Sequence, residues 1–149
     1  MGIKVIINNK RVGFDYFIEE KFEAGIMLQG TEVKSLRAGK GNITDAFVTI
    51  DDQHEVWCHN MLIPHYAFGN LNNHEETRKR KLLLNKSEIL NLKKQLMVRG
   101  LTLVLTSVYF KESNIKVEVA LVKGKKLHDK RESAAKKDVE RKLRRGEYD

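Results

Sequence analysis

The segment from Tyr16 to Gly41 constrains the fold more than any other part of the sequence, because its periodicity changes along its length. From Tyr16 to Leu28 residues alternate between two faces, and one face is mostly apolar except at Glu20, as is typical of a half-buried strand. This run is long for a strand, so we expect a bend near Gly25, where the missing side chain tolerates a kink or bulge.

A short helix is predicted directly after this strand. Thr31 is a plausible N-cap, and Glu32 lies in the first turn, where the helix dipole favours an acid. Lys34 and Arg37 lie three residues apart on one face of that helix. A glycine at position 39 or 41 would cap its C-terminus. A strand that leads into such a helix could close a small barrel. The two cationic side chains on the free face of the helix would then present positive charge.

Two hairpins are predicted from alternating apolar runs. The first pairs residues 46–50 with residues 55–63, and the second pairs residues 101–110 with residues 115–122. Residues 3–7 are expected to form a short edge strand or an ordered arm.

A longer helix is predicted between the hairpins. Asn85 is its expected N-cap, Glu88 would complete a capping box, and Gly100 stops it. The order of elements predicts a mostly β fold, a small antiparallel barrel of the oligonucleotide/oligosaccharide-binding (OB) type with flanking helices and a basic C-terminal tail.

The composition changes at residues 122–124, which predicts an RNA-binding barrel over residues 1–122 and a separate tail over residues 123–149. The tail has 11 Lys or Arg residues against 6 Asp or Glu residues, so it carries most of the net charge of +8. It lacks the apolar area to order itself alone, and we expect it to be disordered, or helical when bound to an acidic partner.

Several classes of function are disfavoured by what the sequence does not contain. The single cysteine, Cys58, excludes an internal disulfide framework and a cysteine-cluster zinc site. The histidines show no metal-binding spacing, and His65 and His74 are interpreted as solvated loop residues. No nucleophile motif or phosphate loop is found, so we expect neither an enzyme nor a cofactor. No apolar run is long enough to span a bilayer and no secretion signal begins the chain, so a cytoplasmic protein without membrane contact is expected.

The charge favours a nucleic-acid partner. The isoelectric point is about 9.6, and the residues at 78–81 form a run of four cations that we interpret as phosphate-binding. A shorter basic turn at residues 8–11 contains Lys10 and Arg11. RNA recognition also needs rings that stack on bases, and the candidates are Phe14, Tyr16, Tyr66, Phe68 and His128.

Five blocks, in order, resemble small protein B, the SsrA (tmRNA)-binding protein family of bacteria. They are DYFIEEKFEAGI, QGTEVKSLRAGK, RKLLLNKSEI, GLTLV and KGKKLHDKRE, at residues 15–26, 29–40, 80–89, 100–104 and 123–132. Residues 64–79 depart from the family pattern, because Glu75 and Glu76 replace its acid–proline pair.

The resemblance implies an OB-type barrel that binds the tRNA-like domain of tmRNA and delivers it to stalled ribosomes for trans-translation. It implies elongation factor Tu as an indirect partner, through charged tmRNA. The RNA face it implies comprises Asn9, Tyr16, Glu23, Leu83, Asn85 and Lys116. The basic turn and the short helix add four cations to this prediction: Lys10, Arg11, Lys34 and Arg37.

The resemblance further implies that the tail enters the empty messenger channel near the decoding centre, with His128 placed to stack on ribosomal RNA. The other predicted tail contacts are Lys123, Lys125, Lys126, Asp129, Lys130, Arg131, Lys136, Lys137 and Arg141. Two alternatives remain: a generic OB-fold translation or ribosome-assembly factor that binds ribosomal RNA, and a small nuclease that requires a divalent metal.

Overall fold

The computed structural model describes residues 3–68, 73–98 and 100–125, and these form an antiparallel β structure with short helices. The mostly β prediction is therefore confirmed. The elements, in chain order, are β1 (Ile3–Asn8), α1 (Val12–Asp15), β2 (Tyr16–Ile26), α2 (Gly30–Arg37), β3 (Phe47–Ile50), β4 (Val56–His59), β5 (Arg80–Leu83), α3 (Lys86–Gln95), β6 (Leu101–Lys111) and β7 (Asn114–Gly124).

Six of the strands pair in a closed cycle. The hydrogen-bonded neighbours run from β6 through β3, β4, β5, β2 and β7, and β7 pairs back with β6. Every pairing is antiparallel. β1 lies outside this cycle and adds to β6. The prediction of a short edge strand at residues 3–7 is therefore confirmed, and the alternative of an unpaired arm is not.

The two predicted hairpins are confirmed, and the second supplies the centre of the core. β6 and β7 are connected by a tight turn at Glu112, whose φ is 59°. Val117, Val119 and Leu121 alternate along β7 and are buried. They belong to one hydrophobic cluster with Leu103 and Leu105 of β6. Val104, Ala120 and Val122 are buried in a second cluster on the other face of these two strands. Burial of apolar side chains is the main force that holds this cycle together.

β2 pairs with two different strands along its length, β7 first and then β5. Its register against β7 shifts between Ile18 and Glu20, and at Gly25 it passes from β7 to β5. The register shift thus lies nearer the start of β2 than the bend that was expected near Gly25. Gly25 is instead the residue at which β2 changes its pairing strand.

α2 begins earlier than predicted, because its N-cap is Gln29 and not Thr31. The Glu32 side chain accepts a 2.7 Å hydrogen bond from the backbone N–H of Gln29. The Gln29 side chain in turn accepts from the backbone N–H of Glu32, which completes a capping box. Gly39, with φ of 76°, follows the last turn, as the left-handed position at a helix end requires.

α3 has the predicted N-cap, Asn85, but the expected capping box is wrong, because the Asn85 side chain makes no capping hydrogen bond. The helix ends at Gln95, before the predicted stop at Gly100. In the described part of the chain, no helix is long and apolar enough to cross a membrane.

Candidate nucleic-acid interface

Four of the predicted RNA contacts come together in one groove. Glu23, Leu83, Asn85 and Lys116 line an open groove of about 270 Å³, which we call the β2–β5 groove. Their side chains come from three strands and from the residue that caps α3. A carboxylate, an ammonium, an amide and an apolar side chain therefore face one space, which suits the mixed surface of an RNA nucleotide.

Gly25 is the reason that these side chains can meet. It pairs with Leu83 on one side and with Lys116 on the other. A Cβ on Gly25 would lie 3.3 Å from the Leu83 Cβ and 3.7 Å from the Lys116 Nζ. Any side chain at this position would occupy the floor of the groove. The sequence indicated only a bend here, so its part in the site was missed.

The carboxylate of Glu23 is held ionised by its neighbours. The hydroxyl of buried Tyr109 donates to Glu23 Oε2 at 2.5 Å, and Lys111 Nζ donates to Oε1 at 3.3 Å. The Tyr109 hydrogen bond is the main cause that lowers the pKa of Glu23, and the charges of Lys111 and Lys116 lower it further. Glu23 therefore acts as a pure hydrogen-bond acceptor near neutral pH.

Tyr109 and Lys111 were not identified from the sequence. They lie on β6, which is separated from β2 by β7. Burial raises the pKa of Tyr109, and Glu23 adds to that rise, so the phenol stays protonated and keeps donating. Local sequence carries no signal for this contact, because residues 23 and 109 meet only in the tertiary structure.

A second group of predicted contacts lies at a different cavity. Asn9, Arg11 and Tyr16 line a space of about 550 Å³ beside α1, which we call the α1 cavity. The Asn9 amide donates to the carbonyls of Ile43 and Leu105, and its oxygen accepts from the Arg11 amide. Asn9 thus fixes the basic turn, while Lys10 and Arg11 are exposed. RNA contact by these residues stays a prediction.

The first residues of the predicted tail are anchored beside the α1 cavity. Lys123 belongs to β7 and pairs with Phe17. The Lys125 amide donates to the Asp15 carbonyl at 2.9 Å, and its ammonium donates to the Gly13 carbonyl at 2.8 Å. The other predicted tail contacts lie outside the described residues: Lys126, His128, Asp129, Lys130, Arg131, Lys136, Lys137 and Arg141.

Lys34 and Arg37 are exposed on α2, as predicted, but they line neither the β2–β5 groove nor the α1 cavity. The Lys34 ammonium lies 5.5 Å from the centroid of the Tyr66 ring. That ring meets Phe68 edge to face at 5.5 Å. These side chains form a separate cationic and aromatic surface.

Arg80 is not part of the phosphate-binding run that the sequence indicated at residues 78–81, whereas phosphate contact by exposed Lys79 and by Lys81 stays a prediction. The Arg80 side chain is 0% exposed, and all five of its N–H groups are used. They donate to Glu32 Oε2 and to the carbonyls of Met61, Arg78, Glu75 and Glu76. A guanidinium buried in this way cannot reach a phosphate.

Glu32, the partner of Arg80, ties α2 to β5. It is itself fully buried, and it also binds Arg78. Burial alone would raise the pKa of Glu32, but hydrogen bonds from Arg78, the Gln29 amide and Arg80 outweigh it and hold that pKa below its ordinary value. The network sets the position of α2 and therefore of Lys34 and Arg37.

His74 is buried as well, so its interpretation as a solvated loop residue is wrong. Its Nε2 donates to the Ile63 carbonyl at 2.7 Å, which leaves Nδ1 to accept from the Thr31 hydroxyl at 2.8 Å. The described residues contain no group of three or more His, Cys, Asp or Glu side chains that could hold a metal ion.

Comparisons with known proteins agree on one family. The family model described as SmpB protein matches residues 6–148. The SsrA-binding protein of Pelobacter propionicus is 52% identical over 143 residues, covering 96% of this chain and 93% of that protein. The SsrA-binding protein of Geotalea uraniireducens is 53% identical over 141 residues, covering 95% and 93%.

A solved structure gives the same result. A chain of the structure described as "tmRNA-SmpB: a journey to the center of the bacterial ribosome" superimposes with a TM-score of 0.70 at 43% identity. The match covers 86% of this chain and 93% of that one. The resemblance seen in five sequence blocks is thus confirmed over nearly the whole length, and the chain belongs to the SmpB protein family.

Proposed function

We propose that this protein is an adaptor that binds tmRNA and delivers its tRNA-like domain to stalled ribosomes for trans-translation. Its relatives are SsrA-binding proteins, and the matched structure is of tmRNA-SmpB and the bacterial ribosome. The proposal places the protein in the cytoplasm, gives it no catalytic step, and brings elongation factor Tu to it through charged tmRNA.

We further propose that the closed cycle of six strands is an OB-type barrel. The cycle supports this assignment, because closure through the β6–β7 pairing leaves only β1 outside the ring. OB-type barrels bind nucleic acid on the faces of their strands and on the loops between them. The β2–β5 groove lies on such a face.

The observation that carries the proposal is the convergence of Glu23, Leu83, Asn85 and Lys116 on the β2–β5 groove. In this arrangement Lys116 contacts a phosphate, and ionised Glu23 accepts from a base amino group or a 2′-hydroxyl. Leu83 is 51% exposed and offers an apolar contact to a base or a sugar. Lysine supplies affinity, whereas the carboxylate repels any phosphate placed in its position and so selects the bound orientation.

The tail has the second role in this proposal. The body ends as an ordered strand at Gly124, and Lys125 is bonded to α1. The chain beyond it, with its many cations, enters the messenger channel only when that channel is empty, because messenger would exclude it sterically and electrostatically. A ribosome without messenger is thereby recognised without catalysis.

The test is a filter-binding titration against the tRNA-like domain of tmRNA, with an elongator tRNA as competitor and a series of salt concentrations. We expect a preference for the tRNA-like domain that persists at physiological salt. Glu23→Gln should reduce that preference, and Lys116→Ala should weaken binding about tenfold. The matched control is Lys94→Ala, which removes an equal charge from an exposed position on α3 outside the groove.

A second experiment separates the two surfaces. Deletion of residues 126–149 leaves Lys125 and its bonds to α1 in place. This truncation should bind tmRNA nearly as the full chain does and should fail in tagging. Equal loss of both activities would contradict a separate role for the tail.

In the filter-binding titration, equal binding of the tRNA-like domain and the elongator tRNA that collapses with salt would instead favour a generic OB-fold translation or ribosome-assembly factor.

A further inference from the structure

The α1 cavity has features that the proposed function does not use. It lies between α1, the segment from Thr44 to Phe47, and β6. Its volume of about 550 Å³ falls in the range of small-ligand sites, about 300–1,000 Å³. It is twice the size of the β2–β5 groove, whose volume is about 270 Å³.

One wall of the α1 cavity is a fixed aromatic ring. Phe47 lines the cavity and is 38% exposed, although it belongs to β3 and follows the buried residue Ala46. Its ring stacks on His59 with centroids 4.9 Å apart and an angle of 15° between the planes. The His59 Nε2 is in turn 2.8 Å from the Thr49 hydroxyl. A ring held flat in this way offers a preformed surface for stacking.

The polar groups of the cavity favour a ligand that donates hydrogen bonds. Asp15 and Asp45 both line it, together with the cation Arg11. Arg11 already lies 3.5 Å from Asp15. Within residues 3–68, 73–98 and 100–125, no hydrogen bond or ion pair engages the Asp45 carboxylate. Asp45 is exposed and ionised carboxylates only accept hydrogen bonds, so it can accept from an amino or imino group of a ligand.

Further cations lie near the cavity. Lys10 and Arg11 are exposed on the turn before α1, and the Lys125 ammonium is bonded to Gly13 in α1. Positive charge therefore lies close to the acceptor Asp45 and the flat ring of Phe47. A nucleotide has the matching form, with an anionic phosphate joined to a flat base that carries donors.

We propose that the α1 cavity binds a single unstacked guanine of an RNA strand. The base stacks on Phe47, and Asp45 accepts from its N1–H and its 2-amino group, which are neighbouring donors on the Watson–Crick edge. Arg11 and Lys10 bind the flanking phosphates. This inference rests on the proposed function in taking RNA as the partner. Lys125 is bonded to α1 beside the cavity, so the guanine comes from whichever RNA faces that end of the body, tmRNA or ribosomal RNA.

The first measurement uses the full chain and a fluorescent RNA pentamer that contains one guanine or, in its place, one inosine. Inosine keeps N1–H and lacks the 2-amino group. We expect about tenfold tighter binding of the guanine pentamer, because a hydrogen bond to a charged acceptor is lost with inosine. Asp45→Asn should abolish this preference, and Phe47→Leu should weaken both pentamers about tenfold.

Two control variants match these changes. Asp52→Asn removes an exposed acid from the β3–β4 turn, and Met97→Ala removes an exposed apolar side chain outside the cavity. Both should bind the pentamers as the unmodified protein does. Equal binding of guanine and inosine by the unmodified protein would overturn the proposal, as would a preference that survives Asp45→Asn. Displacement of the RNA by a short arginine peptide at lower concentration would assign the cavity to a protein side chain and also overturn it.

The source of the guanine follows from two further titrations of Asp45→Asn and Phe47→Leu. Weaker binding to the tRNA-like domain assigns the base to tmRNA, and weaker binding to vacant small ribosomal subunits assigns it to ribosomal RNA. Unchanged binding to both would overturn the proposal. Failure of the proposed function is distinguishable, because it appears as a lost preference of the unmodified protein for the tRNA-like domain while the guanine preference persists.

Discussion

Replacing Arg80 with methionine should destabilise this protein more than any change to its exposed charges. The substitution keeps much of the apolar stem and removes five N–H donors from a site where both Arg80 and Glu32 are 0% exposed. Glu32 would lose one of its two arginines, and four carbonyls would lose a donor. Breaking a buried pair by removing one partner typically costs about 3–5 kcal/mol.

The assay is urea unfolding followed by the fluorescence of Trp57, the one tryptophan. With a slope of about 2 kcal/mol per molar urea, a loss of about 3 kcal/mol lowers the midpoint by about 1.5 M. The control is Lys81→Met at the next residue of β5, where an ion pair to Glu55 at 3.6 Å is exposed. That exposed pair should contribute less than about 1 kcal/mol.

If Arg80→Met moved the midpoint no further than Lys81→Met does, Arg80 would not be an anchor of the fold. A second variant tests the ion pair itself. Glu32→Gln keeps the shape of the side chain and removes its charge, so its cost and that of Arg80→Met should fail to add by about 1–3 kcal/mol in the double variant. Strict additivity would mean that Arg80 acts through its carbonyl contacts alone.

Two further predictions concern titratable groups. Folding favours the ionised form of Glu23, because the pKa of this residue is lowered in the native state. The stability that Glu23 contributes is therefore present above its ordinary pKa of 4.5 and is lost as pH falls through the lowered pKa. Tyr109→Phe removes the hydrogen bond that is the main cause of the lowered Glu23 pKa. This variant should therefore lose more stability at about pH 7 than at about pH 3.5 in paired urea titrations. An equal loss of stability at both pH values would show that the hydrogen bond does not control the Glu23 pKa. Burial raises the pKa of Cys58 from 9.0 to about 12, so the native thiol should react with a disulfide reagent at least about a thousandfold more slowly than the urea-unfolded chain, and fast reaction in the native state would contradict its burial.

Local patterns in the sequence predicted those parts of the fold that depend on neighbouring residues. The hairpins of β3 with β4 and β6 with β7 follow from period-two alternation on each side of a turn. Asn85 was identified as a helix cap for a similar reason. The α2 cap was placed two residues late because Glu32 accepts from the Gln29 amide, a reciprocal bond that a search for Ser, Thr, Asp or Asn does not find.

The candidate site was predictable only in its residue types. Glu23, Leu83, Asn85 and Lys116 were identified through resemblance, while their meeting depends on Gly25 pairing with two strands at once. Positive charge in the sequence was a poor guide to exposure, since Arg80 and Lys81 are neighbours in one run and only the lysine reaches solvent. Which of two adjacent cations is buried depends on the strand face it occupies.

The amino-acid sequence was sufficient to predict an antiparallel β protein with a basic C-terminal segment, and its five ordered blocks were sufficient to identify the family. These properties depend on alternation, turns and composition, which are local. The tertiary structure decided that Glu32 and Arg80 form a buried anchor, that Tyr109 controls Glu23, and that Phe47 and Asp45 share the α1 cavity. Each of these depends on strand register across the closed cycle, where residues such as Glu23 and Tyr109, 86 positions apart in the chain, come within hydrogen-bond distance.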